Sequence, residues 1–494
     1  MVRLVCVNSG ANHKGGLLII PMIKILSAVL AGCLYFGWNH DFAHHSRAPL
    51  VPPPNIIVIL TDDQGYADVG FHGSTDIRTP NIDRIARNGV VCTEGYVSFA
   101  VCGPSRAGLL TGRYQDRFGF SRNPLVAPND PGQGLPTSEQ TLADLLKKAD
   151  YSTAVMGKWH LGAHPSQHPN RRGFDEFYGF LGGGHQYFPE NLKLKDLSEI
   201  KSEYDSYRTK LMHNTKRVDE NEYLTDALSR EALRFIREKQ NKPFCLYLAY
   251  NAPHAPLQAS EKYLSRFPDI TDPRRRTYAA MVSAVDDGVG NILDLLDELK
   301  LDRNTIVFFL SDNGGPTPDN ASDNTPLRGK KGDFFEGGIR VPFAVQWPGK
   351  IPAGSRYSNP VISLDIFATA AAVAKVKPKN RLDGVNLIPF LTGQNKGIPH
   401  DYLFWRNVDQ KSLAVRTRNE KLIAQPDAEF LYRLKDAIGE TTNLARQDLK
   451  TLERLKTSAN DWNRQLPPPA FLGLMQEKEY NQSHPERFKI VEDF

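Results

Sequence analysis

The sequence predicts an α/β protein with a large, mostly parallel sheet flanked by helices and a smaller C-terminal α+β subdomain. Three observations predict it. Short, continuous apolar runs of β-branched type recur along the chain, as in strands buried on both faces of a parallel sheet. Helical patterns lie between them, which is the alternation of α/β architecture. From about Asp401 the apolar segments shorten and alternate, which fits a small antiparallel sheet.

The chain has 494 residues, 40% of them hydrophobic, enough for a large core. Its 61 basic residues are nearly balanced by 56 acidic ones, for a net charge of +5, and no long like-charge run marks a nucleic-acid surface. Five cysteines, Cys6, Cys33, Cys92, Cys102 and Cys245, show no paired spacing, so neither a disulfide framework nor a zinc motif is expected. Cys92 and Cys245 sit in apolar surroundings and read as core thiols.

Residues 1–50 form a leader and linker. The stretch "GGLLIIPMIKILSAVLAGCLYFG" reads as an export signal or membrane anchor, and "HHSRAPLVPPP" as an extended linker. With translation from Met22, Leu30-Ala31-Gly32-Cys33 is similar to a bacterial lipoprotein processing site, which adds lipidation at Cys33 to the alternatives. The expected location is therefore exported: periplasmic, extracellular or lipid-anchored.

The next segment, 51–400, carries four strand-like runs that end in polar motifs. "NIIVIL" leads into Thr61-Asp62-Asp63, "STAVM" into a loop with Lys158 and His160, "FCLYLAY" into a loop with His254, and "TIVFFL" into Ser311-Asp312-Asn313. Helices are expected at "SEQTLADLLKKAD", capped by Thr137 or Ser138, and at "LTDALSREALRFIREK". An Asp after a strand is ordinarily a turn residue. Two acidic motifs and two histidine-bearing loops at strand ends are better explained by a shared site, because parallel sheets gather ligands at the carboxyl ends of their strands.

Asp62, Asp63, Asp312 and Asn313 offer only oxygen donors, which suits calcium first and magnesium second. Around them stand Arg106, Lys158, Lys331, His160 and His254, a cationic set matched to a sulfate or phosphate ester. "VCGPSRAGLLTGR" places Cys102 at an expected helix start, with Pro104 suited to the first helical position. There the helix dipole and the cations are expected to lower the thiol pKa. A thiolate attacking such an ester nevertheless leaves a thioester-like intermediate with no easy exit.

"CGPSRAGLLTGR" resembles the signature of the formylglycine-dependent sulfatases of the alkaline phosphatase superfamily. The resemblance continues through "NIIVILTDDQGYADVG", "TPNIDRIARNGV", "GKWHLG", "NAPHAPL", "LSDNGG" and "GKKGDFFEGGIRVP". It implies an alkaline phosphatase-like fold and conversion of Cys102 to formylglycine by a maturation enzyme. The hydrated aldehyde is implied to attack sulfur through one hydroxyl and to eliminate sulfate by deprotonation of the other. Calcium is implied to be bound by Asp62, Asp63, Asp312, Asn313 and residue 102. Arg106 is implied to stabilise the hydrate, Lys158 and Lys331 to bracket the sulfate, His160 to assist elimination, and His254 to protonate the leaving alcohol. Glu336 is read as a support for the Lys331 loop, and Gly103 as an unconstrained position.

The implied substrate is a sulfate ester, with O-sulfated carbohydrate first. A phosphoester hydrolase of the same superfamily and a sulfated-glycan-binding protein with an inert site are the alternatives. The stretch from Gly179 to about Asn214 reads as a substrate-specific insertion, with His185 and Tyr187 as candidate sugar contacts, and "PTPDNASDNTP" at 316–326 as a pocket border. Residues 401–494 are expected to form the antiparallel sheet and a terminal helix, with the last segment wrapping the surface.

Overall fold

A computed structural model describes residues 52–488. The leader, the Cys33 processing site and the first part of the linker lie outside these residues. The main sheet has ten strands, in the spatial order Ser355–Tyr357, Gly89–Cys92, Phe343–Gln346, Thr305–Ser311, Asn55–Thr61, Phe244–Ala249, Ser152–Lys158, Glu176–Phe180, Leu211–His213 and Lys216–Val218. The four strands expected from sequence lie side by side in its middle and are all parallel, with Ile59 opposite both Leu248 and Phe309. Their carboxyl ends therefore open on one rim.

The sheet is mixed, because its margins run antiparallel. Phe343–Gln346 pairs antiparallel with both of its neighbours, and Leu211–His213 and Lys216–Val218 form a hairpin beyond Glu176–Phe180. Alternate residues of the central strand serve two cores. Ile56, Val58 and Leu60 pack with Leu109, Leu110 and Phe367 from the helices Cys102–Thr111 and Asp365–Val373. Ile57 and Ile59 pack on the other face with Leu228, Phe235, Val282 and Ile292 from the helices Leu224–Lys239 and Pro273–Glu298. Cys92 and Cys245 are free thiols buried in the first of these cores.

Two expected helix starts are displaced. Thr141, not Thr137 or Ser138, caps the helix Leu142–Leu146, its hydroxyl and the Asp144 carboxylate closing a capping box. The other helix begins at Cys102, so Pro104 occupies its third position, still within the first turn where no amide donor is needed.

The strands Leu403–Asn407, Ser412–Arg416, Glu420–Gln425 and Ala428–Arg433 form the second, antiparallel sheet in sequence order. Val415, Leu422 and Leu431 on one face meet Leu452, Leu455 and Ala459 of the helix Leu449–Asn463. Trp405, Ala414 and Ile423 on the other face join the first core of the main sheet, and the Trp405 indole donates to the Val97 carbonyl at 2.8 Å. The tail after that helix runs to Arg487, which donates to the Val126 carbonyl at 2.9 Å and pairs with Glu203. Among the described residues no helix is long and apolar enough to cross a membrane.

Candidate active site

The rim loops are stitched together by their backbones. Asp312 N donates to the Thr61 carbonyl at 3.0 Å, and Asp62 N to the Ala252 carbonyl at 3.2 Å. Asp63 adopts φ 64°, a left-handed conformation that Asp tolerates better than most residues, and its N–H donates to Asp312 Oδ1 at 3.3 Å. The expected border segment does brace this turn, since Asn320 Nδ2 donates to the Asp63 carbonyl at 3.2 Å.

Cys102 lies against this acidic group, its Sγ 3.4 Å from Asp62 Oδ1 and 3.3 Å from Lys331 Nζ. The expected acidic thiol is not found. Burial, and after it the charge of Asp62, pushes the thiol up to about 12, and the nearby lysines do not compensate. Gly103 is not unconstrained: its N–H donates to Asn123 Oδ1 at 2.8 Å, and a Cβ there would lie 2.9 Å from Pro124 Cδ.

The cations interleave with the carboxylates. Arg106 Nε reaches Asp312 Oδ2 at 2.9 Å, Lys158 Nζ reaches Asp62 Oδ2 at 2.5 Å, and Lys331 Nζ reaches Asp63 Oδ1 at 2.7 Å. Burial opposes ionisation of Asp62, but Lys158, His254, Arg106 and Lys331 outweigh it and hold its carboxyl well below the usual range. Burial and the charge of Asp62 push Asp312 up to about 6. Burial, then Lys158 and Arg106, hold the His160 pKa far below the ordinary value. His160 also has φ 57°, and its Nε2 would lie 2.8 Å from a Cβ at Gly183, so this glycine admits the ring. His254 is half-buried, with Nε2 3.6 Å from Asp63 Oδ2 and Nδ1 2.6 Å from the Ala255 carbonyl. A carbonyl only accepts, so Nδ1 holds a proton and Nε2 is the nitrogen that gains and loses one.

The donor set fits a hard cation. Ligand atoms of Asp62, Asp63, Asp312 and Cys102 all lie within 4.8 Å of one another. Asn313 Nδ2 donates to Asp63 Oδ1 at 2.6 Å, while Asn313 Oδ1 is buried and lacks any hydrogen-bond partner. A buried amide oxygen left without a donor beside three carboxylates suits an oxygen-seeking cation.

Comparison with known proteins agrees with this geometry. A family model described as Sulfatase matches residues 54–376. The chain belongs to the sulfatase family. A second model, for the C-terminal part of N-sulphoglucosamine sulphohydrolase, matches residues 330–461 of this sulfatase-family chain. Human N-acetylgalactosamine-6-sulfatase is 38% identical over 354 residues, covering 69% of this chain and 66% of the relative. Human steryl-sulfatase is 32% identical over 457 residues, covering 75% and 74%. The crystal structure of Ps i-CgsB in complex with k-i-k-neocarrahexaose is 39% identical, with TM-score 0.80 over 89% of this chain and all (100%) of that one.

Within this sulfatase fold, all of the expected catalytic and metal-ligating residues lie on the one rim, whereas His185 and Tyr187 do not face solvent. Each is 1% exposed. His185 stacks on Phe180, and the Tyr187 hydroxyl lies 2.7 Å from both the Asn251 and His254 carbonyls, where it steadies the His254 loop. Glu336 does support the Lys331 loop: it is fully buried, accepts from Lys421 Nζ at 2.8 Å, and its N–H donates to Glu440 Oε2 at 2.7 Å. Sequence reasoning missed Asn123, Lys421 and Glu440, which lie far from every motif and carry no local signal.

Proposed function

We propose that this chain is an exported hydrolase of sulfate esters, acting on O-sulfated carbohydrate, with Cys102 matured to formylglycine and calcium at the acidic rim. The observation that carries the reading is the buried juxtaposition of Cys102 with Asp62 and Lys331, within a ring of three carboxylates and Arg106, Lys158, His160 and His254. Substrate class is supported by the relatives' names and by the bound neocarrahexaose of Ps i-CgsB. The apolar leader supports export.

Asp62, Asp63, Asp312, Asn313 and residue 102 would hold the cation. Formylglycine would supply a hydrated aldehyde as nucleophile, and calcium would supply positive charge for the sulfate oxygens. Lys158 and Lys331 add positive charge where the ester's charge grows, already oriented by Asp62 and Asp63. Arg106, fully buried and paired with Asp312, fixes the charge beneath residue 102. Nε2 of His254 delivers a proton to the leaving alcohol oxygen, and His160, kept neutral by burial and its cationic neighbours, accepts the proton released on elimination of sulfate.

The test is turnover of nitrophenyl sulfate against nitrophenyl phosphate by enzyme carrying formylglycine. The expected result is a clear preference for sulfate, lost on chelation and restored by calcium. A preference for phosphate transfers the site to the phosphoester alternative. Turnover of neither ester leaves the glycan-binding alternative.

A further inference from the structure

Resting on the sulfate-ester reading, we infer that a cavity beside Cys102 is a subsite for a neutral sugar ring next to the sulfated unit of the substrate chain. The cavity measures about 480 Å3 and is lined by Val101 and Gly332, the chain neighbours of Cys102 and Lys331. Gly332 N donates to the Ala100 carbonyl at 2.9 Å, so the two loops that carry the site also make the inner wall of the cavity. Its volume lies in the range of about 300–1,000 Å3 typical of small-ligand sites.

Three distant stretches make the rest. Asn123, whose Oδ1 holds the Gly103 amide at 2.8 Å, joins the cavity to the first turn of the Cys102 helix. Leu474 N donates to the Asn123 carbonyl at 3.0 Å and brings in the tail, and the 407–410 turn of the C-terminal sheet closes the far side.

The lining sets the ligand chemistry. Arg122 and Asp409 are its only charged side chains, and they neutralise one another at 2.5 Å. The cavity lining is thus neutral and offers no unpaired cation to a second sulfate, which favours an uncharged ring. Asn123, Asn407 and Gln476 use their amide oxygens on the N–H groups of Gly103, Gln410 and Gly473 and present their NH2 groups as donors, and the exposed Gln410 amide adds a donor and an acceptor of the kind that hydroxyl groups use. Phe99 and the 88% exposed Met475 supply apolar surface for the C–H face of a pyranose.

The experiment compares formylglycine-bearing enzyme with its Gln410→Ala and Met475→Ala variants on nitrophenyl sulfate and on oligosaccharide digests of carrageenan and chondroitin sulfate. Both side chains are exposed, so truncation leaves the core packing in place, and thermal melts check that it does. The ratio of kcat/KM on the best oligosaccharide to that on the aryl ester is expected to fall about tenfold in each variant, the scale of one lost hydrogen bond or apolar contact. Chains whose neighbouring ring is unsulfated are expected to be preferred. An unmoved ratio, a preference for a sulfated neighbouring ring, or aryl turnover without oligosaccharide turnover overturns the subsite and leaves the sulfate-ester reading standing. Absence of turnover on every ester overturns that reading and the subsite with it.

Discussion

At Cys102 local and tertiary effects oppose one another. A helix start and two lysines favour a thiolate, but burial and Asp62 prevail and push the thiol up to about 12. A thiol held protonated is a poor nucleophile, which agrees with a site that works only after residue 102 is converted. Lys331 contacts both Cys102 and Asp63 and is half-buried, and the proposed function gives it a chemical role. Lys331→Ala is expected to lower kcat by about 10²–10³ with a small change in Tm; steady-state kinetics beside a thermal melt checks this, and parallel losses in both would remove it from the reaction. The residue identities at this site were legible in the motifs: Asp62, Asp63, His160, His254, Asp312 and Asn313 follow strand ends, and Cys102, Arg106 and Lys331 lie in the stretches that carry the resemblance. The sign of the thiol shift was not, because it depends first on burial and then on a carboxylate forty residues away in the chain. The burial of His185 and Tyr187 was not legible for the same reason: polar aromatics in a glycine-rich stretch carry no local sign of it.

Among the elements, the loop carrying Lys331 and the short helix Glu336–Ile339 that follows it are fixed by the C-terminal sheet. Lys421, on the strand Glu420–Gln425, reaches Glu336 at 2.8 Å and Glu440 at 3.0 Å, and all three side chains are fully buried. Removing Lys421 leaves the buried Glu440 without its cation, while Glu336 keeps Arg340 at 3.2 Å and Arg416 at 3.9 Å. Lys421→Met is therefore expected to cost about 3–5 kcal/mol, read as a lower Tm and denaturation midpoint. An unchanged midpoint would dismiss the network as a brace. The central strands were legible because continuous apolar runs mean burial on both faces, as the Asn55–Thr61 strand shows. The antiparallel margins were not legible, because Leu211–His213 and Phe343–Gln346 are too short for a period to emerge.

Across the whole molecule, the two faces of the main sheet are tied to distant helices, and one tie is sensitive to pH. Asp286, on the long helix Pro273–Glu298, accepts from the N–H groups of Asn81 at 3.0 Å and Ile82 at 2.8 Å. Burial pushes its carboxyl up to about 7 despite these bonds. A raised acid binds its proton more tightly folded than unfolded. Its contribution is therefore fully present below the ordinary value of 3.8 and is lost as pH rises through about 7. Tm is expected to fall between pH 5 and pH 8, and less steeply in Asp286→Asn; identical slopes in the two proteins would remove Asp286 as the cause. The architecture at this scale was the most legible part, because strand and helix alternation decides it. The cavity between the Cys102 loop, the C-terminal sheet and the tail was beyond sequence reading, since the tail "LPPPAFLGLMQ" has no periodicity. In the proposed reaction residue 102 acts as formylglycine. The most direct measurement is the mass of the peptide containing residue 102, taken from the same preparation assayed for nitrophenyl sulfate turnover. Formylglycine is expected in the active preparation, with turnover proportional to the converted fraction; full turnover from a preparation whose residue 102 is an unmodified thiol would rule out the aldehyde as nucleophile.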